Sequence, residues 1–195
     1  MPDRTTDELL LELAGGRDQA AFVELYERHR TGVFRFAYRM LGSIETAEDI
    51  THDCFLSLIK RPENFNPARG SLKTYLYSAA RNLSLKHFRN TAREAAADAF
   101  GEESSIPVRE EPLGRLLDEE LSLKVKEAVF SLPPLQREAL VLFEYEGLAL
   151  SEIASVVGTD VGAVKASLHR ARERLRNSLW PYLNSSREIV TLEQA

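Results

Sequence analysis

Two segments of this 195-residue chain carry side chains whose types and spacing could bind nucleic acid. In the first, cations recur four, three and four residues apart along one flank of a predicted helix: Lys165, His169, Arg172 and Arg176. The first turns of this helix hold small side chains, which would let it approach base edges closely in the major groove of DNA. The pattern indicates a DNA-reading helix. The alternative is that these cations only complement the helix macrodipole and keep the helix solvated.

The second segment, residues 71–90, mixes aromatic and basic side chains. It includes Lys73, Tyr75, Tyr77, Arg81 and Asn82. Aromatic rings stack on unpaired bases while Lys and Arg follow phosphates, so the mixture suits a platform for single strands. The preceding loop places Phe65, Asn66 and Arg69 beside Pro and Gly, where they could form a rigid pocket for an extruded base. The alternative is that the aromatics fill a core and the cations lie on a solvated face.

Composition excludes several other classes of protein. No apolar run approaches the roughly 20 residues that a membrane helix needs, and the start MPDRTTDELL lacks the apolar stretch of a secretory signal. We therefore expect a cytoplasmic protein with no direct membrane insertion. The single cysteine, Cys54, and four histidines far apart in sequence offer no metal or redox site, so we expect no cofactor and no small-molecule substrate.

The chain is acidic overall, with a net charge of −5, but the imbalance is local. Residues 91–120 hold three basic and nine acidic residues together with Gly, Pro and Ser. This composition predicts a flexible acidic linker over residues 93–120 that lets two domains close on one another or on an inhibitor. The predicted domains are residues 1–92 and 121–184, followed by a tail over residues 185–195.

Both predicted domains are helical, which makes the fold all-α. In the first, Thr5 is expected to cap a short helix, Asp18 a second that Gly42 ends, and Ser43 a third whose outer face is acidic. A fourth is expected from residue 71 to about residue 91.

In the second domain, two helices precede a third that we expect Ser151 to cap and a fourth that we expect Thr159 to cap. Apolar residues of the fourth helix recur at spacings of three and four, and a Gly-containing turn precedes it. This arrangement is typical of a helix-turn-helix.

Three segments in this order resemble the extracytoplasmic-function (ECF) sigma factors, bacterial initiation factors that guide RNA polymerase to promoters. AFVELYERHRTGVFRFAYRMLGSIETAEDITHDCFLSLIK resembles sigma region two, and SLKTYLYSAARNLSLKHF resembles its promoter-melting helix. SLPPLQREALVLFEYEGLALSEIASVVGTDVGAVKASLHRARERLR resembles region four. The usual Phe and Trp of the melting helix are Leu72 and Tyr75 here, and region four departs from its usual pattern at Ala163, Ala166 and Ser167.

The resemblance implies roles for three groups of residues. The β′ clamp helices of core RNA polymerase would bind Asp49, Thr51, Asp53, Phe55 and Leu56. The melted minus-ten element would be bound by Phe65, Asn66, Arg69, Lys73, Tyr75, Tyr77, Arg81 and Asn82. The minus-thirty-five element would be read by Thr159, Lys165, Ser167, Arg170 and Arg172. The resemblance also implies binding to the polymerase β flap, control by an anti-sigma factor, and no enzymatic activity.

Two other functions fit parts of the sequence. A helix-turn-helix regulator with a sensing or dimerising N-terminal bundle would bind a two-half-site operator as a dimer, without polymerase. An enzyme, such as a metal-dependent hydrolase in a helical bundle, has little support, because the chain has no His-Glu-x-x-His, no Gly-x-Ser-x-Gly and no Gly-rich phosphate loop.

Overall fold

The computed structural model describes residues 6–97 and 116–192, and within these residues every regular element is helical. The α-helices are α1 (Asp7–Gly15), α2 (Gln19–Leu41), α3 (Ile44–Lys60), α4 (Leu72–Ala97), α5 (Leu116–Phe130), α6 (Pro134–Leu140), α7 (Leu150–Val157) and α8 (Val161–Leu192). Short 3₁₀ turns, Pro62–Asn64 and Pro67–Arg69, lie between α3 and α4, and a π-helical turn, Val141–Tyr145, follows α6. The predicted all-α fold is confirmed.

The N-terminal domain, α1 to α4, is organised around α2, which packs against each of the other three helices. The Asp18 carboxylate accepts from the amides of residues 20 and 21, and Ser43 Oγ accepts from the residue 46 amide, so both predicted N-caps are confirmed. Gly42 ends α2 at φ 80°, a left-handed conformation that favours glycine. The cap of α1 is Thr6, not Thr5, because Thr6 Oγ1 accepts from the residue 9 amide at 3.3 Å.

The C-terminal domain, α5 to α8, contains the predicted helix-turn-helix in α7 and α8. Gly158 ends α7 at φ 75°. Both predicted N-caps of this pair are wrong. Ala149 holds the cap position of α7, where the Glu152 carboxylate accepts from its amide at 2.8 Å, and the Asp160 carboxylate accepts from the residue 163 amide at 2.9 Å before α8.

The two domains pack directly on one another. Contacts join α4 to α7, and α2 to both α6 and the π-helical turn. A continuous cluster of buried apolar side chains includes Phe36 and Leu76 of the N-terminal domain and Leu142 and Ile153 of the C-terminal domain. Buried Arg137 of α6 donates to the Met40 carbonyl at the end of α2, at 2.5 Å. The structure therefore shows the first of the two predicted closures, domain on domain.

The predicted boundaries fall partly outside the described residues. Residues 98–115, most of the predicted linker, are among those not described. Helix α4 runs to Ala97 and α5 begins at Leu116, so the helices reach into both ends of the predicted linker. Helix α8 likewise continues through Leu192 across most of the predicted tail.

Candidate nucleic-acid interface

Helix α4 distributes its aromatic, basic and amide side chains over two faces. Lys73, Tyr77 and Arg81 lie four residues apart and therefore share one face, which meets the C-terminal domain. Tyr75 and Asn82, seven residues apart, share the other face, which remains accessible. The structure thus divides the predicted minus-ten residues into a covered set and an open set.

On the covered face, the Glu146 carboxylate of the C-terminal domain meets a cluster of cations. Only 1% of its side chain is exposed, and its Oε2 accepts from Tyr77 Oη at 2.8 Å and from Arg35 Nη2 at 3.3 Å. Arg39 Nη1 lies 3.6 Å from Oε1, and Lys73 Nζ donates to the Glu146 main-chain carbonyl at 3.2 Å. Burial, together with this carboxylate, raises the pKa of the Tyr77 phenol, so Tyr77 stays a hydrogen-bond donor.

Farther along the same face, Arg81 forms a bidentate ion pair with Glu138 of α6. Arg81 Nε donates to Oε2 at 2.7 Å and Nη2 donates to Oε1 at 3.1 Å. The Glu138 side chain is fully buried and the Arg81 side chain is 13% exposed. Burial raises the pKa of Glu138, and the Arg81 guanidinium opposes that rise. The predicted DNA-contacting guanidinium is therefore already occupied by a carboxylate of the C-terminal domain.

The open face of α4 carries an aromatic pair and borders a groove. The rings of Phe65 and Tyr75 meet edge to face, with centroids 5.7 Å apart at 69°. Both side chains are partly buried against the core, so each presents only part of its ring. Asn82 lines a groove of about 510 Å³ between α3 and α4, which Asp53 and Leu56 also line.

The loop before α4 is shaped by its own hydrogen bonds. The Asn66 side-chain oxygen accepts from the residue 68 amide at 3.0 Å, which fixes the second 3₁₀ turn. Asn66 and Arg69 are exposed beside the partly buried Phe65. Gly70 follows at φ 150°, where a side chain would be strained. The contact between the Phe65 and Tyr75 rings brings the loop and the Tyr75 face of α4 together.

The predicted polymerase-binding residues of α3 separate into exposed and buried positions. Asp49, Asp53 and Leu56 are exposed and recur at spacings of four and three, so they form one outward face. Thr51 is buried, and its hydroxyl donates to the residue 47 carbonyl at 2.7 Å. Phe55 is 2% exposed and packs edge to face on the Tyr26 ring. Thr51 and Phe55 therefore support the outward face from inside and do not belong to the surface.

The predicted minus-thirty-five residues lie around α8 and the turn before it. Lys165 and Arg172 border one groove, next to the Phe143 ring, whereas Arg170 is exposed on a different side of the helix. Arg172 forms an ion pair with the Glu144 carboxylate at 2.6 Å and lies over the Phe143 ring at 5.3 Å.

The two remaining predicted residues of this set differ from one another in exposure and position. Thr159 is exposed in the turn between α7 and α8, and Ser167 is partly buried. The structure brings the five predicted residues to one helix and its leading turn, but they do not form a single stripe.

Sequence reasoning missed the residues that join the domains. Arg35, Arg39, Glu138 and Glu146 received no role, because opposite charges 57 to 111 positions apart give no local signal. Glu138 did carry one detectable sign. It lies three residues before Val141 and four before Leu142, both fully buried, so its carboxylate lies on the apolar face that continues from α6 into the π-helical turn.

Two negative findings apply to the described part of the chain only. No group of three or more His, Cys, Asp or Glu side chains there is placed to hold a metal ion. Over the same residues, no helix has both the length and the apolar character to cross a membrane.

Comparison with known proteins gives matches to both domains. Residues 25–94 match the model for Sigma-70 region 2, and residues 122–175 match that for Sigma-70, region 4. The chain is 32% identical over 182 residues to ECF RNA polymerase sigma factor SigE of Mycolicibacterium smegmatis, covering 91% of this chain and 69% of the relative. It is 31% identical over 170 residues to SigW of Bacillus subtilis, covering 83% and 90%.

Two solved structures resemble the fold. The sigma factor RpoE in complex with the anti-sigma factor NepR, from Bartonella quintana, matches with a TM-score of 0.62 at 25% identity, over 77% of this chain and 91% of that one. CnrH in complex with the cytosolic domain of CnrY matches with a TM-score of 0.64 at 24% identity, over 89% and 96%, which supports the fold alone.

Proposed function

The chain belongs to the ECF sigma factors, which are transcription initiation factors and not enzymes, and from that premise we propose that it directs core RNA polymerase to specific promoters. In this proposal α3 binds the polymerase, the 65–70 loop and α4 capture the melted minus-ten strand, and α8 reads the minus-thirty-five element. The observation that carries it is the groove between α3 and α4, where Asp53, Leu56 and Asn82 line one continuous surface. A strand held on α4 would lie directly beside the bound polymerase.

The polymerase-binding surface that we propose is the outward face of α3. Asp49 and Asp53 supply negative charge, and Leu56, 49% exposed, supplies an apolar contact between them and the groove. Such a face suits a basic partner with an apolar centre, which is how we expect the β′ clamp helices to bind. Thr51 and Phe55 act by holding the face in place.

The minus-ten surface that we propose has two parts. The open part is formed by Phe65, Asn66, Arg69, Tyr75 and Asn82, where partly exposed rings lie beside amide and basic groups. These are the groups that stack on and hydrogen-bond to an extruded base. The covered part is formed by Lys73, Tyr77 and Arg81, which become available when the domains separate.

The minus-thirty-five surface that we propose is the exposed side of α8 with its leading turn. Lys165 and Arg170 are exposed and can reach phosphates or base edges, while Arg172 must leave Glu144 or contact DNA with its remaining donors. Thr159 lies where the helix would enter the groove, and Ser167 lies closer to the helix core. We also propose that this domain binds the polymerase β flap.

An anti-sigma factor is the proposed regulatory partner. The similar sigma factor RpoE of Bartonella quintana is found in complex with the anti-sigma factor NepR. A protein that covers α3 and the outside of α4 would block both the polymerase and the minus-ten surface. The contact between the two domains would remain in place under such a partner.

Binding to core RNA polymerase tests the proposal. Reversing two charges of the α3 face, with Asp49→Arg and Asp53→Arg, is expected to abolish co-purification with core polymerase. The matched control reverses two carboxylates outside the proposed surfaces, Glu24→Arg and Glu127→Arg, whose side chains are 51% and 66% exposed. Equal binding by both double variants would contradict the surface. Absence of wild-type binding, or dimeric binding to DNA without polymerase, would contradict the function.

A further inference from the structure

The cluster around Glu146 holds more positive charge than its one carboxylate balances. Arg35 and Arg39 lie against the Glu146 carboxylate, and Lys73 donates to the Glu146 main-chain carbonyl. Within residues 6–97 and 116–192, no other carboxylate forms an ion pair with these three cations. Tyr77 Oη adds a neutral donor. These donors come from α2 and α4 of the N-terminal domain, whereas the acceptor comes from the C-terminal domain.

The carboxylate satisfies this cluster incompletely. Glu146 Oε1 is buried and accepts no hydrogen bond, and Arg39 is its neighbour at 3.6 Å, beyond hydrogen-bond distance. A buried acceptor without a donor is unfavourable, so the planar carboxylate does not match the spatial arrangement of these donors. A phosphate diester shares one negative charge between two non-bridging oxygens on a tetrahedral centre, and the neighbouring diesters of a strand supply further charges, which guanidinium and ammonium groups bind strongly.

The backbone of α2 is shaped to bring Tyr77 and Glu146 close. A Cβ at Gly32 would lie 2.6 Å from Tyr77 Oη and 3.5 Å from Glu146 Oε2. Glycine inside a helix costs about 1 kcal/mol relative to alanine. We attribute Gly32 in the middle of α2 to the close approach of Tyr77 and Glu146 to this helix. A cavity of about 340 Å³ adjoins the cluster and is lined by Gly32, Lys73, Tyr77 and Glu146.

We propose that Arg35, Arg39, Lys73 and Tyr77 form a binding site for a backbone phosphate of the melted promoter strand, and that Glu146 occupies this site in the closed chain. Domain closure and strand binding then compete for the same cations. The identity of the strand rests on the proposed function, while the competition between Glu146 and a polyanion does not. Arg35 and Arg39 thereby join the DNA-binding surface from α2.

Closure is tested first, without DNA, in the full chain. Fluorophores on Lys60→Cys and Glu173→Cys, both exposed, report the distance between the domains, and buried Cys54 stays unlabelled. Raising the salt from about 0.05 M to about 0.5 M stabilises the charges that opening exposes to solvent, whereas the buried Glu146 contact of the closed chain is screened little, so energy transfer should fall. Glu146→Gln should open the chain at lower salt than wild type.

Two further variants make the closure test specific. Glu144→Gln is the matched control, because this carboxylate is 43% exposed, lies two residues away and pairs with Arg172 outside the cluster. It should open as wild type does. Gly32→Ala acts from the opposite domain and should open the chain as Glu146→Gln does, with no loss of helix α2 by circular dichroism. Closure that is insensitive to salt and to both opening variants would overturn the proposal.

Strand binding is tested with a fluorescent single-stranded oligonucleotide. Glu146→Gln should bind it roughly tenfold more tightly than wild type, because a larger fraction of the chain is open, and Glu144→Gln should not. Adding Arg35→Gln and Arg39→Gln to Glu146→Gln should remove the gain. A gain that survives without these arginines would overturn the phosphate site, and no gain in Glu146→Gln would overturn the competition.

Two parallel measurements distinguish the proposed DNA site from a site for free phosphate, and test the proposed function separately. Inorganic phosphate at matched ionic strength should open the chain no more than chloride does. If it opens the chain as well as the oligonucleotide, the site is one for free phosphate and the assignment to DNA is overturned. Co-purification of the wild-type chain with core polymerase is measured alongside. Absence of co-purification would contradict the proposed function. The phosphate site is tested independently, by comparing oligonucleotide binding of Glu146→Gln with that of its arginine variants.

Discussion

The Arg81–Glu138 ion pair provides a quantitative test of the packing between the domains. Arg81→Met removes a bidentate partner from a carboxylate that is fully buried. Leaving one member of a buried pair uncompensated costs about 3–5 kcal/mol, and the 13% exposure of Arg81 places our expectation near the lower value. Replacing both partners, in Arg81→Met with Glu138→Leu, should recover most of the loss, because a buried pair contributes little relative to apolar groups of similar size.

The dependence of this loss on pH follows from the raised pKa of Glu138. The folded chain holds the Glu138 proton more tightly than the unfolded chain, so stability falls as the pH rises from the unfolded pKa to the folded pKa. Arg81→Met removes the cation that opposes the rise, so the folded pKa goes higher and this window widens upward. The stability difference between wild type and variant should therefore be larger at about pH 8 than at about pH 5.

Urea unfolding followed by circular dichroism measures these free energies. The control is Arg172→Met, which breaks the Glu144 pair at the surface, where both side chains are 43–50% exposed, and should cost less than about 1 kcal/mol. Additive effects of Arg81→Met and Glu138→Leu, or equal losses from Arg81→Met and Arg172→Met, would refute the assignment of a buried, coupled pair.

Three other predictions concern separate parts of the molecule. Tyr75→Ala should block promoter opening and be rescued by a pre-melted template, whereas Tyr75→Phe should retain activity, because the ring supplies the stacking. Permanganate footprinting measures promoter opening. Failure of Tyr75→Ala on every template would mean that Tyr75 serves only to pack the core. Arg170→Ala should lower the salt dependence of upstream promoter binding by about one unit of slope, measured by salt titration, if this exposed cation contacts a phosphate. Burial raises the pKa of the Cys54 thiol to about 12, so the thiol stays protonated below that pH. Iodoacetamide should therefore modify Cys54 only in the unfolded chain, which mass spectrometry would show.

The helices of the N-terminal domain could be predicted because their signals are local. Asp18 and Ser43 each place an oxygen within reach of the following amides, and Gly42 supplies the left-handed end of α2. The N-caps of α7 and α8 are harder to predict from the sequence, for a physical reason. Adjacent Thr159 and Asp160 can both cap, and only the path of the chain after the turn decides which carboxylate or hydroxyl meets the amides.

The division of the candidate site could not be predicted from the sequence. Helical spacing alone puts Tyr75 and Tyr77 on different sides of α4, but which side is open depends on where the other domain lies. The same limit applies to Thr51 and Phe55 of α3. The resemblance to the family assigned both residues to the polymerase-binding surface, but both side chains face the core. The covering of Tyr77 and Arg81 rests on Glu146 and Glu138, whose partners are distant in sequence.

Transcription by core RNA polymerase on a library of random promoter sequences is the most direct test of the central claim, that this chain confers promoter-specific initiation. With the wild-type chain we expect run-off transcripts that start at defined positions downstream of enriched minus-ten and minus-thirty-five sequences. Core polymerase alone, or with the Asp49→Arg and Asp53→Arg double variant, should give none of these. Transcripts that are independent of the chain, or no specific start site with a chain that does bind core polymerase, would contradict the claim.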